Sequence, residues 1–268
     1  MKTIKILLVA LILMSLISCK KSSEPTATTY PLELDQVITS LTKSFDSLNT
    51  DIGSNAVSVS QSIDDTAAIR SKILGLFNRS SFVLEFSYVT PQGIMQIVEP
   101  SVYHSAEGSD ISQQDHIIKT FQTKLPVLSK TFDAVEGFNA AVDVHPVLDK
   151  TQVLGAITAV FLPQTILGRI ITPVVHNQSF EIWAMEPGGK VLYDQDAYEI
   201  GRNVITDTLY AKFPELIAAA KLIDAQKSGE TTYSYYQTGT TIKVVKKTYW
   251  KTYALFGTDW KIVWVKPI

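Results

Sequence analysis

The side chains best suited to chemistry are few, and their spacing argues for binding rather than catalysis. The chain has one cysteine, Cys19, and four histidines, His104, His116, His145 and His176. It contains no G-x-S-x-G, no H-E-x-x-H and no phosphate-loop pattern, and nothing sets a base beside a nucleophile. His104, Asp115 and His116 lie close together but lack a familiar metal-ligand spacing. The sequence therefore predicts no catalytic residue, no metal and no cofactor. Its densest group of polar and aromatic side chains is Tyr103, His104, Asp110, Gln114, His116, Ser129, Lys130, Asp143 and His145. Polar groups converging in an apolar cleft are what a small-molecule site needs. Asp143 and His145 share one face of a strand, with Val142 and Val144 on the other, so the pair could face a pocket or water. Trp183, Trp250, Trp260 and Trp264, with Tyr233, Tyr235 and Tyr236, read as sheet core rather than a ligand cage.

The elements that would position these residues follow from periodicity. Ile38, Leu41, Phe45, Leu48 and Ile52 step by three and four, which predicts a helix over 32–78. Unbroken, it would be roughly 70 Å long, a spine along two stacked modules. Gly53-Ser54-Asn55 is the point where it is expected to bend or fray. Strands are expected at 82–89, 94–98, 127–135, 139–146 and 153–161, with a polar loop at 101–115 and a short helix at 116–124. A helix at 163–177 opens a second unit. A hairpin follows over 180–193 around Glu186-Pro187-Gly188-Gly189, a turn explained by glycine's access to positive φ. A helix over 209–226 and strands at 231–237, 241–255 and 260–266 complete it. The fold class is α+β: a long N-terminal helix and two antiparallel sheets flanked by helices.

The chain opens with Met1-Lys2-Thr3-Ile4-Lys5 and an apolar run from Ile4 to Ile17. That run is short for a membrane span and suits the core of a signal peptide. It ends in Leu16-Ile17-Ser18-Cys19, which resembles the lipobox of prokaryotic lipoproteins. The resemblance implies cleavage after residue 18 and a diacylglycerol on Cys19. Two or more acyl chains hold a protein stably at a membrane, where one does so marginally. Residues 19–31 read as a polar tether. Losing Lys2 and Lys5 takes the formal net charge from −2 to −4, and no basic stripe is present, which argues against nucleic acid.

From residue 32 onward the chain resembles the double Cache family, PAS-like extracellular sensor domains of prokaryotic receptors. In the second unit the resemblance rests on Trp183 to Tyr193, Ile200-Gly201-Arg202-Asn203, Ser228-Gly229 before Tyr233, Tyr249 to Tyr253 and Gly257 to Val263. In the first it rests on Gly108 to Ser112, Pro126 to Ser129, Asp143 to Val147 and Leu154 to Ile157. It implies a distal module over 79–162, a proximal module over 163–268, and a small-molecule pocket in the distal one, lined by the nine residues above. Amino-acid sensors of this family carry an arginine that grips the ligand carboxylate in two places. Gln114 stands at that position here and carries no charge.

These readings converge on an exported, lipid-anchored sensor at the cell envelope. It would bind a small extracellular molecule and signal through a separate membrane receptor or transporter partner. The alternatives are a solute-binding protein serving a transporter and a structural envelope lipoprotein.

Overall fold

The computed structural model describes residues 28–236 and 241–268. The signal segment 1–18, the lipidation position Cys19 and the first part of the tether lie outside the described residues. Helix α1 (Leu32–Ser60) buries Leu34, Val37, Leu41, Phe45, Leu48, Ile52, Ala56 and Val59 on one stripe. The helix runs through Gly53-Ser54-Asn55 without a break. Ser54 Oγ and Asn55 Nδ2 donate back to the carbonyls of Thr50 and Asp51, each at 2.9 Å, so both side chains are satisfied within the helix. The break falls later, at 61–64. Asp65 then caps α2 (Thr66–Arg79) by accepting from Ala68 N at 2.9 Å. The single spine expected over 32–78 is thus two helices. At 29 residues, α1 alone spans roughly 44 Å.

The first sheet is built from β1 (Val83–Val89), β2 (Met95–Glu99), β3 (Val127–Leu128), β4 (Phe132–Asp133), β5 (Asn139–Asp149) and β6 (Gln152–Phe161). Its strand order is β2-β1-β6-β5-β3, with β4 also on β5, and every pairing is antiparallel. A short 3-10 segment, Ser101–Ala106, and helix α3 (Asp115–Thr123) follow β2. The strand expected at 127–135 is two short pieces, because Lys130 and Thr131 turn away to bond the second unit. Thr131 donates to Glu186 from both its backbone N and its hydroxyl, at 2.8 and 2.6 Å, and Lys130 Nζ donates to the Pro187 carbonyl at 3.1 Å.

Helix α4 (Pro163–Val175) leads into the second sheet. That sheet comprises β7 (Glu181–Met185), β8 (Val191–Tyr193), β9 (Ser228–Tyr236), β10 (Lys243–Leu255) and β11 (Thr258–Pro267), in the order β8-β7-β11-β10-β9. The helix expected over 209–226 is one 3-10 turn, Thr208–Tyr210, and α5 (Pro214–Ala225); Pro214 starts the helix because its missing N–H costs nothing there. Helix α1 packs on both sheets. The Phe45 ring lies 5.6 Å from Phe82 and from Phe161 of the first unit, and 5.9 and 5.8 Å from Tyr253 and Trp260 of the second. The architecture is α+β, with two antiparallel sheets sharing one helical spine.

Candidate functional site

Strand register decides which residues of the first sheet can reach a ligand. Phe86 pairs with Ala159 and Tyr88 with Ile157, and these side chains join the core under α1 and α2. A bulge between Val83 and Glu85 puts Glu85 opposite Val160, so Glu85, Ser87 and Val89 take the other face. On β5, Val142 and Val144 pair with Val160 and Thr158 and share that outer face, whereas Asp143 and His145 pair with Ala159 and Ile157 and face the spine.

Helix α3 and the β4–β5 turn cover the outer face. They enclose a cavity of about 20 Å³ whose lining includes Gln114, His116, Phe132, Glu136, Thr158 and Val160. That is room for about one water molecule. The His116 ring is buried and tilted against Phe132 at 4.8 Å. Burial holds its pKa down at about 4, so it is neutral at physiological pH. Ser87 and Thr158 bond to each other through their hydroxyls. Glu85 is fully buried and neither of its carboxyl oxygens finds a donor; Glu136 Oε1 is also buried and unbonded. Burial, with the Glu136 carboxyl alongside, pushes Glu85 up to about 10. Two such carboxyls can bond to each other only while one keeps its proton.

Of the nine residues singled out in the sequence, Gln114 and His116 line this cavity. Tyr103 does not line it but packs on the apolar cluster of the same face, its ring edge-on to Phe138 at 6.0 Å. His104 is drawn away into an ion cluster. Arg70 of α2 reaches Glu99 at 2.7 Å and Glu107 at 2.8 Å, and His104 Nε2 lies 3.2 Å from Glu99. Asp110 is exposed and accepts from Ser112 N at 2.9 Å, closing its own turn. Ser129 Oγ accepts from Val142 N at 2.9 Å. Ser129 and Lys130 line, together with Gln114 and His116, a broad groove of about 1030 Å³ that also involves Phe256 of the second unit. Asp143 and His145 belong to the spine: His145 Nε2 lies 3.2 Å from Asp143 Oδ1 and 3.3 Å from Asn49 Oδ1 of α1, and its ring stands against Phe256 at 5.5 Å. The residues that sequence reasoning passed over are Glu85, Glu136 and Thr158. The available signal was Glu85 itself, an acid inside an otherwise apolar strand.

The second unit has a larger cleft of about 510 Å³, walled in part by Trp183, Tyr210, Tyr233 and Tyr235 and bearing Asp194 and Lys246. Lys246 Nζ sits 5.5 Å from the Tyr235 ring centroid and pairs with Glu181. Burial raises Asp194 to about 6.

Residues 43–163 match the family described as HK/GC/Chemotaxis protein-like, sensor domain. The whole architecture is shared with solved sensor domains. An extracellular ligand binding receptor from Desulfohalobium retbaense superposes with a TM-score of 0.73 at 28% identity, over 88% of this chain and 40% of that one. The ligand-binding domain of the Pseudomonas aeruginosa amino-acid chemoreceptor PctB, solved with L-Gln, gives 0.61 at 13% identity, over 88% of each chain. That of Pseudomonas fluorescens CtaA, solved with L-alanine, gives 0.63 at 11% identity, over 88% of this chain and 97% of that one.

The fold is that of a double Cache sensor domain. The chain spans well under half of the Desulfohalobium receptor it matches. No curated protein sequence matches it. Among the described residues no helix is long and apolar enough to cross a membrane.

Proposed function

We propose that this chain is an exported Cache-type sensor, lipid-anchored through Cys19, that binds a small extracellular molecule in its distal module. A separate membrane partner reads the change. The observation that carries this reading is a largely apolar cavity bearing Gln114, His116, Glu136 and Thr158 on the outer face of the distal sheet, in a two-sheet fold shared over 88% of the chain with ligand-bound chemoreceptor domains. Helix α1 offers the route for the signal, because it packs on both sheets and meets His145, on the face of β5 opposite the cavity, through Asn49. The function is binding rather than catalysis, in keeping with the sensor domains it resembles. A thermal-shift screen of the purified chain against small metabolites tests it. A ligand at a hundredfold its Kd should add roughly 2.7 kcal/mol of stability. A broad screen with no shift would leave a structural envelope role as the better account.

A further inference from the structure

The second sheet turns the face away from α1 toward a cleft of its own. Alternation along β7 sends Ile182 and Ala184 into the core shared with α1 and leaves Glu181 and Trp183 on the other side. Tyr233 and Tyr235 of β9 join them there, with ring centroids 6.4 Å apart and planes tilted by 38°. The cleft, at about 510 Å³, lies within the roughly 300–1,000 Å³ typical of small-molecule pockets. Two polar groups in its wall are held by the packing and not used by it. Trp183 is 8% exposed and Tyr233 6%. Among the described residues, neither Trp183 Nε1 nor the Tyr233 hydroxyl has a hydrogen-bond partner. Both atoms still reach open space, unlike the unbonded Nε1 of Trp264, which is sealed in the core. Trp250, by contrast, donates to the Gln226 carbonyl at 3.2 Å, and Tyr210 donates to Glu199.

We propose that this cleft is a second binding site and that it takes an uncharged saccharide. The indole N–H of Trp183 can only donate, the Tyr233 hydroxyl can donate and accept, and the Asp194 carboxylate can only accept. Asp194 takes one backbone N–H, from Asp196 at 2.9 Å, and has lone pairs left over. Sugar hydroxyls, which both donate and accept, can meet all three. The C–H faces of a sugar ring fit the aromatic walls, because the faces of aromatic rings carry negative partial charge. The charges in the cleft disfavour ions of either sign. Lys246 pairs with Glu181, and its ammonium lies 5.5 Å from the Tyr235 ring centroid, where an organic cation would otherwise sit. Acids outnumber Lys246, the one basic residue of the lining, and so repel an anion. The site goes beyond the distal reading, and neither requires the other.

Calorimetry on the full chain with glucose, galactose, mannose, maltose and cellobiose, and with choline and propionate as charged probes, tests it. At least one saccharide is expected to bind saturably. Tyr233→Phe, which deletes a single oxygen, and Trp183→Phe, which deletes the indole N–H, should each weaken that saccharide roughly tenfold or more, in proteins whose melting curves show them folded. Affinity unchanged in both variants would overturn the proposal. So would saccharide binding lost on Thr158→Val in the first sheet and kept in Tyr233→Phe, which would move the sugar to the distal cavity and leave the sensor reading standing. Choline or propionate binding that weakens in Tyr233→Phe would make the cleft an ion site and overturn the saccharide assignment. Absence of saturable binding by all five saccharides overturns it too, and the distal reading is then decided separately by the metabolite screen.

Discussion

A buried carboxyl group with no donor lowers the stability of the fold that holds it, and its size and sign can be worked out for Glu85. Its pKa is about 10 in the folded protein against 4.5 for an ordinary glutamate. Between those values the folded protein keeps a proton that the unfolded chain gives up. The contribution of Glu85 to stability is therefore highest below about pH 4.5 and falls as pH rises, by roughly 3 kcal/mol at pH 7. His116 acts in the opposite sense. Its folded value of about 4 lies below the ordinary 6.5, so the unfolded chain takes up the proton first and stability is lost as pH falls from 6.5 toward 4. Glu85→Gln removes the first slope and leaves the second. Urea unfolding should find the variant more stable than the parent by about 3 kcal/mol at pH 7 and by roughly 5 kcal/mol at pH 8, with the gap closing near pH 5. Equal stability at pH 8 would mean that Glu85 has a partner that compensates its burial. A residue whose removal stabilises the protein is what a ligand site held at a cost to the fold looks like.

At the scale of elements, local periodicity was a good guide where each element makes its own contacts. The three-and-four spacing from Ile38 to Ile52 and the apolar strand at 82–89 both correspond to observed elements. Readings that depended on a distant partner went astray. The strand at 127–135 splits because Thr131 bonds Glu186, which lies 55 residues away in sequence. Alternation put Asp143 and His145 on one face, but α1 decides that this face looks at the spine. Glu85 escaped notice because the bulge after Val83 shifts the strand's alternation. Gly53 is the clearest case, since a glycine that looked like a break sits inside a continuous helix. A Cβ there would meet nothing within 4 Å, and its backbone is not in the left-handed region. Gly53→Ala should therefore stabilise the protein by about 0.5–1 kcal/mol through the smaller entropy loss of alanine. A lowered unfolding midpoint would show that α1 is strained at this point.

At the scale of the whole molecule, the N-terminal end of α1 sets which module would face the proposed anchor. Asp35 pairs with Lys251 of β10 at 2.6 Å, and Tyr30 stands edge-on to Tyr249 at 6.3 Å, so the chain enters the fold beside the second sheet. The first sheet is reached further along α1, where Asn49 meets His145. Residues 19–31 can extend no further than about 40 Å. Lipid on Cys19 would thus hold the proximal module near the bilayer and present the distal cavity outward, toward the medium that carries a ligand. The proposed anchor rests on Leu16-Ile17-Ser18-Cys19 at the end of an apolar run, and on a single cysteine that no second thiol can pair within the chain. Acyl chains contribute about 0.8 kcal/mol for each buried methylene, so two or more chains make attachment stable and their loss makes it negligible. Cys19→Ala should therefore move the protein from the membrane fraction to the soluble fraction, or stall it with its signal uncleaved, while leaving the folded domain unchanged. Mass spectrometry of the parent's mature N-terminus should show a lipid-modified Cys19. An unmodified Cys19 there, or a variant that stays with the membrane after correct cleavage, would remove the anchor and leave the orientation of the two modules to be set by a partner protein.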